Sequence, residues 1–203
     1  MSLVSSNLCR NQAAWRARIS RSYFFVVLTF LLTTAPQPLM AQTASFREYE
    51  VKAAFLLNFA QFVSWPASRA ANKPMIFGVL GTDPFGKVLD ETMSGRTINS
   101  VPVQIRRLRR GESTDDIDIL FISRSEDEVL EVRLAKQEQR PTLTVGDIDR
   151  FAQRGGMIGF IIRDGRVRFQ INHRVAEDAG LTVNAKLLKL AEIVNTDEDE
   201  LGN

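Results

Sequence analysis

Cysteine and histidine are almost missing from this 203-residue chain, which contains one of each, Cys9 and His173. Cys9 lies in an N-terminal segment that we expect to be removed, so the rest of the chain has no thiol for a disulfide, a nucleophile or a metal ligand. One histidine cannot form an H-E-x-x-H metal site, and no G-x-S-x-G sequence is present to hold a serine nucleophile. Asp115, Asp116 and Asp118 lack the glycine and distal glutamate of a calcium loop. The sequence therefore predicts no catalytic residue, no bound metal and no cofactor.

Acidic residues are absent from the first 41 positions, which contain four arginines. An apolar run of 13 residues follows the arginines, from Tyr23 to Ala35, and a small residue stands at Ala41. This is the pattern of a secretory signal, and the run is shorter than the ~20 residues that a membrane-spanning helix needs. We therefore predict a cleavable signal peptide over residues 1–41 and a periplasmic protein, with an uncleaved anchor as the alternative.

Excess positive charge is also absent once that segment is set aside. Removing its four arginines from the 26 basic residues leaves 22, against 24 acidic residues. Nucleic-acid binding depends on a basic surface, so we expect no nucleic-acid partner. The length predicts one domain over residues 42–194, followed by an acidic flexible tail over residues 195–203.

Apolar runs of strand length alternate with segments of helical period through most of this domain. The Asp164-Gly165 pair predicts a tight turn between antiparallel strands. The alternation predicts an α/β fold, with a mostly parallel sheet flanked by helices and an antiparallel hairpin near the C-terminal end. The predicted strands cover residues 75–80, 101–108, 117–122, 142–145, 157–162 and 166–171. The predicted helices cover residues 48–63, a short stretch capped by Asp83 around Val88 and Leu89, 125–139 with Ser125 and Glu128 as a capping box, 148–151 capped by Asp147, 172–179 and 185–194.

The helix predicted over residues 48–63 is apolar on nearly every side. Phe59 and Phe62 belong to its aromatic stripe, and Trp65 follows where the helix is expected to end before Pro66. Either the domain's own core covers the stripe, or a partner covers part of it. Because tryptophan is a frequent interface anchor, we predict that these three aromatic residues contribute to a partner-binding surface.

The densest positive cluster of the predicted domain contains Arg107, Arg109 and Arg110. A solvated strand end is one explanation for such a cluster. A docking patch for an acidic partner or for lipid headgroups is the other. We include these three arginines in the predicted partner-binding surface.

A loop with two glycines follows the first predicted strand and precedes a helix, which is where α/β folds bind anions and small ligands. Neither a phosphate-loop lysine nor the G-x-G-x-x-G spacing is present, so an ordinary turn is the competing explanation. The ligand-binding candidates of this loop are Gly81, Thr82, Asp83 and Gly86. They belong to a second hypothesis, a periplasmic sensor of small ligands.

Six short pieces of the chain, in this order, resemble the YfiR family of periplasmic regulators. The pieces are KAAFLLNF at 52–59 with Trp65-Pro66, VLG at 79–81 with DPFG at 83–86, ILFIS at 119–123, LTV at 143–145 with GGMI at 155–158, VRFQIN at 167–172, and AGL at 179–181 with KLLKLA at 186–191.

The resemblance implies a protein that binds the periplasmic portion of an inner-membrane diguanylate cyclase and holds it inactive. Cyclic-di-GMP synthesis, biofilm matrix production and surface attachment would thereby be restrained. An outer-membrane lipoprotein that relieves the repression, and a homodimer, are compatible with this family. Gly78 stands where the better-known members have a cysteine, so the resemblance does not carry redox control to this chain. The leading hypothesis is a protein-binding repressor and not an enzyme.

Overall fold

The structure, a computed structural model, describes residues 40–69 and 73–196, with the backbone alone described for residues 40–46. Most of the predicted signal peptide and of the predicted acidic tail lies outside the described residues. Among these residues, no helix is both long enough and apolar enough to cross a membrane.

The described chain alternates between helices and strands. Its helices are α1 (Met40–Phe62), α2 (Lys87–Met93), α3 (Leu130–Ala135), α4 (His173–Asp178) and α5 (Ala185–Leu188), with a 3-10 helix over Arg124–Val129 directly before α3. Its strands are β1 (Val63–Ser64), β2 (Met75–Leu80), β3 (Thr97–Ile98), β4 (Val101–Leu108), β5 (Ile119–Ile122), β6 (Leu143–Gly146), β7 (Ile158–Arg163), β8 (Arg166–Ile171), β9 (Thr182–Val183) and β10 (Glu192–Ile193).

One sheet contains eight of these strands in the order β10-β8-β7-β6-β5-β2-β4-β3. Strands β4, β2, β5, β6 and β7 run parallel to one another. β7 and β8 form an antiparallel hairpin whose turn is Asp164-Gly165, as predicted. β1 and β9 form a separate antiparallel pair. The prediction of an α/β fold with a mostly parallel sheet and a C-terminal hairpin is confirmed.

Both faces of the central sheet are covered, which explains the uninterrupted apolar runs of its strands. In β5, Ile119 and Phe121 belong to the core cluster that contains residues of α1 and α2. Leu120 and Ile122 belong to the cluster that contains residues of α3. Alternate side chains of a strand point to opposite faces, so α2 and α3 lie on opposite sides of the sheet.

Two predicted helix starts are wrong because the capping side chains bond elsewhere. Asp83 Oδ1 accepts a hydrogen bond from the Phe85 amide at 2.8 Å, which forms a turn, and α2 begins only at Lys87. The Ser125 hydroxyl accepts from the Thr82 amide at 2.8 Å instead of capping its own helix. The segment predicted as one helix over residues 125–139 is therefore a 3-10 helix followed by the short α3.

Two further helix predictions are corrected near the end of the domain. Residues 148–151 form turns and no helix, because the Asp147 carboxylate bonds to α1 and not to the amides that follow it. The last helix, α5, stops at Leu188, and the chain continues into β10, which pairs with β8 at the edge of the sheet. Sheet pairing takes the place of the last turns of the predicted helix.

Candidate functional site

Loops from three neighbouring strands meet at the carboxyl end of the parallel sheet. β2 lies between β4 and β5, and these strands lead into the segments of Gly81 and Thr82, of Arg109 and Arg110, and of Ser125. The chain passes from β2 to β4 on one side and then crosses to β5 on the other. We call the space between the loops, about 590 Å³, the switch-point crevice. Open α/β sheets commonly bind ligands at such a reversal of strand order.

The two groups that the sequence assigned to different sites thus lie in one place. Gly81 and Thr82, candidates for ligand binding, line the crevice together with the three candidate arginines of the partner surface. Local sequence patterns could not place them together, because β2 and β4 are far apart along the chain and become neighbours only through the sheet.

Arg107 fixes the shape of the 81–86 loop. Its Nε donates to Asp83 Oδ2 at 2.7 Å, and its terminal nitrogens donate to the Asp90 carboxylate and to the Gly86 carbonyl. The hydrogen bonds from Arg107 lower the pKa of Asp90, and the two carboxylates raise the pKa of Arg107. Because these donors are already used, Arg107 fastens the loop and α2 to β4, and its charge is not free to bind a partner.

Arg109 and Arg110 are the positive groups that the crevice presents to solvent. In the part of the chain that the structure describes, the Arg109 guanidinium has no ion-pair partner, and that of Arg110 lies 3.6 Å from Glu126 Oε1. Glu126 is buried and bonds more closely to Arg133, at 2.7 and 2.8 Å. The carboxylate charge beneath the crevice is therefore largely neutralised from the other side.

The 81–86 loop approaches the loop after β5 closely. A Cβ atom added to Gly81 would lie 2.4 Å from the Ser125 hydroxyl oxygen, and Gly81 has a φ of 91°. The Thr82 amide donates to that same hydroxyl at 2.8 Å. A glycine is thus required at position 81, and the hydrogen bond from the Thr82 amide to the Ser125 hydroxyl joins the two loops at the crevice.

The aromatic stripe of α1 is mostly core. Phe59 is 0% exposed, with its ring centroid 5.1 Å from that of Phe169 and 5.7 Å from that of Phe160. Phe59 therefore cannot contribute to an exposed surface in this fold, contrary to its placement in the predicted partner surface. Phe62 and Trp65 are half-buried at the end of the helix.

The outer face of α1 is uncharged from Val51 to Gln61, whereas the exposed Arg47 and Glu50 precede this stretch. Val51, Ala54, Asn58 and Gln61 are exposed and follow one another at helical spacing along the helix. Residues 53–68 contain no charged side chain at all. Solvent-exposed helix faces normally carry charge, and depletion of charge is a feature of interface cores. We call these four residues, together with Phe62 and Trp65, the α1 face.

A buried ion pair ties α1 to the loop after β6, and the sequence interpretation missed it. Lys52 Nζ lies 2.7 Å from Asp147 Oδ2 and 2.5 Å from Glu48 Oε1, and the side chains of Lys52 and Asp147 are 1% and 2% exposed. The Tyr49 hydroxyl also donates to Asp147 Oδ2 at 2.8 Å. Burial, and then the Asp147 charge, raise the pKa of Tyr49. The available signal was Lys52 itself, the last charged residue before the uncharged stretch of residues 53–68.

A second cleft, of about 730 Å³, opens beside this ion pair. Arg124 lines it and donates from Nε to the Asp147 carbonyl at 2.9 Å. Asp147 Oδ1 and Gln153 Oε1, which line the same cleft, are buried without a hydrogen-bond partner among the described residues. Four basic and four acidic side chains line the cleft, so its lining favours neither sign of charge.

The described residues contain no cluster of three or more His, Cys, Asp or Glu side chains that could hold a metal ion. His173 starts α4, and its Nε2 lies 3.4 Å from Glu177 one turn later. That contact is an ordinary pairing along one helix face.

Comparison with known proteins gives one family match. The model of a family described as YfiR/HmsC-like matches residues 49–192, which is well over half of the chain and spans the sheet from β2 to β8 together with most of α1. No curated protein matches the chain significantly.

Proposed function

Because the chain belongs to the YfiR/HmsC-like family of periplasmic regulators of cyclic-di-GMP signalling, we propose that it binds the periplasmic portion of an inner-membrane diguanylate cyclase and represses it. Cyclic-di-GMP synthesis and biofilm formation are restrained as a result. The observation that carries this proposal is the family match over residues 49–192. The family is regulatory and non-catalytic, which supports our proposal that this chain acts through a binding surface.

The α1 face is the docking surface that we assign to the cyclase. Its exposed side chains are small, apolar or neutral, and a partner can bury them without removing a charge from water. The half-buried Phe62 and Trp65 at the end of the helix supply aromatic area at its margin. α1 is anchored beneath this face by the Lys52–Asp147 ion pair, which gives the partner a rigid helix to contact.

Co-purification of the membrane cyclase with the chain, from native membranes, tests this assignment. Gln61→Glu places a charge in the middle of the α1 face, at an exposed position where folding is unaffected. The matched control is Gln104→Glu, the same substitution at an exposed position of β4. We expect Gln61→Glu to weaken capture of the cyclase by about tenfold or more, because a charge buried at an interface is left unpaired. Equal capture by the two variants would contradict the α1 face as the docking surface.

Three expectations stay predictions for this chain. The cleavable signal peptide comes from the N-terminal sequence pattern, and relief of repression by an outer-membrane lipoprotein and a homodimer come from the family resemblance. The mass of the protein recovered from the periplasm tests the first, since cleavage after Ala41 leaves a chain that begins at Gln42. Recovery of the full-length mass from the membrane fraction would favour an N-terminal anchor instead.

A further inference from the structure

The switch-point crevice has the construction of a ligand site and is separate from the α1 face. The helices that follow β2 and β5 lie on opposite faces of the sheet, since residues of α2 and α3 belong to different core clusters. The loops that enter these helices touch where the Thr82 amide donates to the Ser125 hydroxyl, and with the end of β4 they enclose a space at the carboxyl ends of the strands. The crevice is a consequence of this topology.

The crevice presents hydrogen-bond donors from all three strand ends. Arg109 and Arg110 extend from the end of β4, and the hydroxyl groups of Thr82 and Ser125 come from the loops after β2 and β5. Of the two guanidinium groups, one has no ion-pair partner in the described chain, and the other is 70% exposed with a single contact at 3.6 Å. Both can turn toward a ligand without breaking a short hydrogen bond.

The local charge favours an anion. Arg109 and Arg110 are the crevice arginines without a short hydrogen bond, and Glu126, the acidic side chain that lines the crevice, is paired with Arg133 at 2.7 Å from the far side. Asp83 and Asp90 at the loop and on α2 are likewise engaged by Arg107. Arg107 neutralises only one of these two carboxylate charges, so a net excess of one positive charge remains when the exposed Arg109 and Arg110 are included. The walls of the crevice are held in place before any ligand arrives.

We propose that the switch-point crevice binds a phosphate group, held by Arg109 and Arg110 and by the hydroxyl groups of Thr82 and Ser125. Donors that converge from three separate strand ends suit a tetrahedral oxyanion better than a planar carboxylate, which one arginine can satisfy with two parallel hydrogen bonds. A soluble phosphorylated compound is the ligand that we assign. This inference goes beyond cyclase binding and does not depend on it.

The experiment is a titration of the full chain with inorganic phosphate and with a soluble phosphate monoester, followed by calorimetry and by the amide chemical shifts of Thr82 and Ser125. Acetate tests whether a carboxylate binds equally well, and vesicles containing phosphatidylglycerol test whether the phosphate of a lipid headgroup is bound instead. We expect saturable binding of the phosphate compounds, shifts centred on these two amides, and weaker binding of acetate. Binding to vesicles alone, or acetate bound as tightly as phosphate, would overturn the assignment.

A charge-matched pair of variants locates the site. Arg109→Gln/Arg110→Gln removes the two crevice arginines, whereas Arg166→Gln/Arg168→Gln removes two exposed arginines of β8, which make no ion pair in the described residues. We expect the first variant to lose phosphate affinity by about tenfold or more and the second to keep it. Equal losses in both variants would show that phosphate responds to net charge and not to the crevice. A circular dichroism melt confirms that each variant is folded.

Discussion

Removal of Lys52 should destabilise the domain strongly. In Lys52→Met the Asp147 carboxylate stays buried, keeps the hydrogen bond from Tyr49, and loses the ammonium group that lies 2.7 Å away. Coulomb's law at the 2.7 Å separation of Lys52 and Asp147, with an effective dielectric constant of about 20, gives an attraction of roughly 6 kcal/mol. The variant also avoids the desolvation of Lys52, so we expect a net loss of about 3–5 kcal/mol of unfolding free energy.

Thermal and urea unfolding measure this loss, which corresponds to a fall in Tm of roughly 6–20 °C for a domain of this size. Lys136→Met is the control, since Lys136 is exposed, and its effect should stay within about 0.5 kcal/mol. The double variant Lys52→Met/Asp147→Leu removes the two fully buried charges, leaves only the partly exposed Glu48, and should recover at least about 2 kcal/mol relative to the single variant. A single variant as stable as wild type, or a double variant no better than the single one, would refute the account of this ion pair.

Three further predictions concern single side chains. In a chain with Tyr23→Phe, Tyr49 is the only tyrosine. Because folding raises the pKa of Tyr49, its contribution to stability is complete below the ordinary pKa of 10.0 and is lost as the pH rises above that value. Near-ultraviolet absorbance should show the phenolate forming only as the protein unfolds, and a normal titration in the folded chain would contradict this. Gly81→Ala should destabilise the chain more than Gly111→Ala, measured by urea unfolding. Both glycines have a positive φ, but only at position 81 would the added Cβ lie 2.4 Å from a hydroxyl oxygen, that of Ser125. Equal losses would disprove the close approach. Trp65→Phe should leave the unfolding free energy unchanged or raised, since it removes a buried Nε1 without a hydrogen-bond partner among the described residues. Trp65→Ala should cost about 2 kcal/mol, less than the ~3–5 kcal/mol of a fully buried tryptophan, because Trp65 is half-buried. A large loss in the Phe variant would mean that Nε1 has a partner.

The six longer strands, β2 and β4 to β8, were predictable from the sequence because their apolar pattern is local, whereas the two-residue strands β1, β3, β9 and β10 were not predicted. The run that forms β2 matches its prediction residue for residue, and the hairpin of β7 and β8 follows from the Asp164-Gly165 turn. Both depend on a local pattern of apolar residues and turn formers. The α/β class followed from the alternation of such patterns.

The errors came from polar side chains with distant partners. Asp147 and Ser125 each stand where a helix cap is expected, yet one bonds to Lys52 on α1 and the other accepts from the Thr82 amide. The local sequence places a capping side chain before a predicted helix, but in the fold that side chain bonds to a residue distant in the sequence, which a local pattern cannot reveal. Lys52 was overlooked for the same reason, since its partner lies 95 residues away.

The residues of the candidate site could be identified from the sequence, but their positions relative to one another could not. The glycine loop and the arginine cluster were both identified, and the sheet then brought them into one crevice. The sequence could not distinguish Arg107 from Arg109, since both are arginines near the end of β4. Only the fold shows that Arg107 is engaged by Asp83, Asp90 and Gly86, whereas Arg109 remains open to solvent.

The cellular concentration of cyclic-di-GMP tests the proposed repression most directly. We expect it to rise in cells that lack this chain, and to return to the wild-type level when the full chain is restored. A chain that begins at Gln42 without the N-terminal segment should fail to restore it, because it cannot reach the periplasm. An unchanged concentration in the deletion strain, or restoration by the chain that is not exported, would contradict a periplasmic repressor of a diguanylate cyclase.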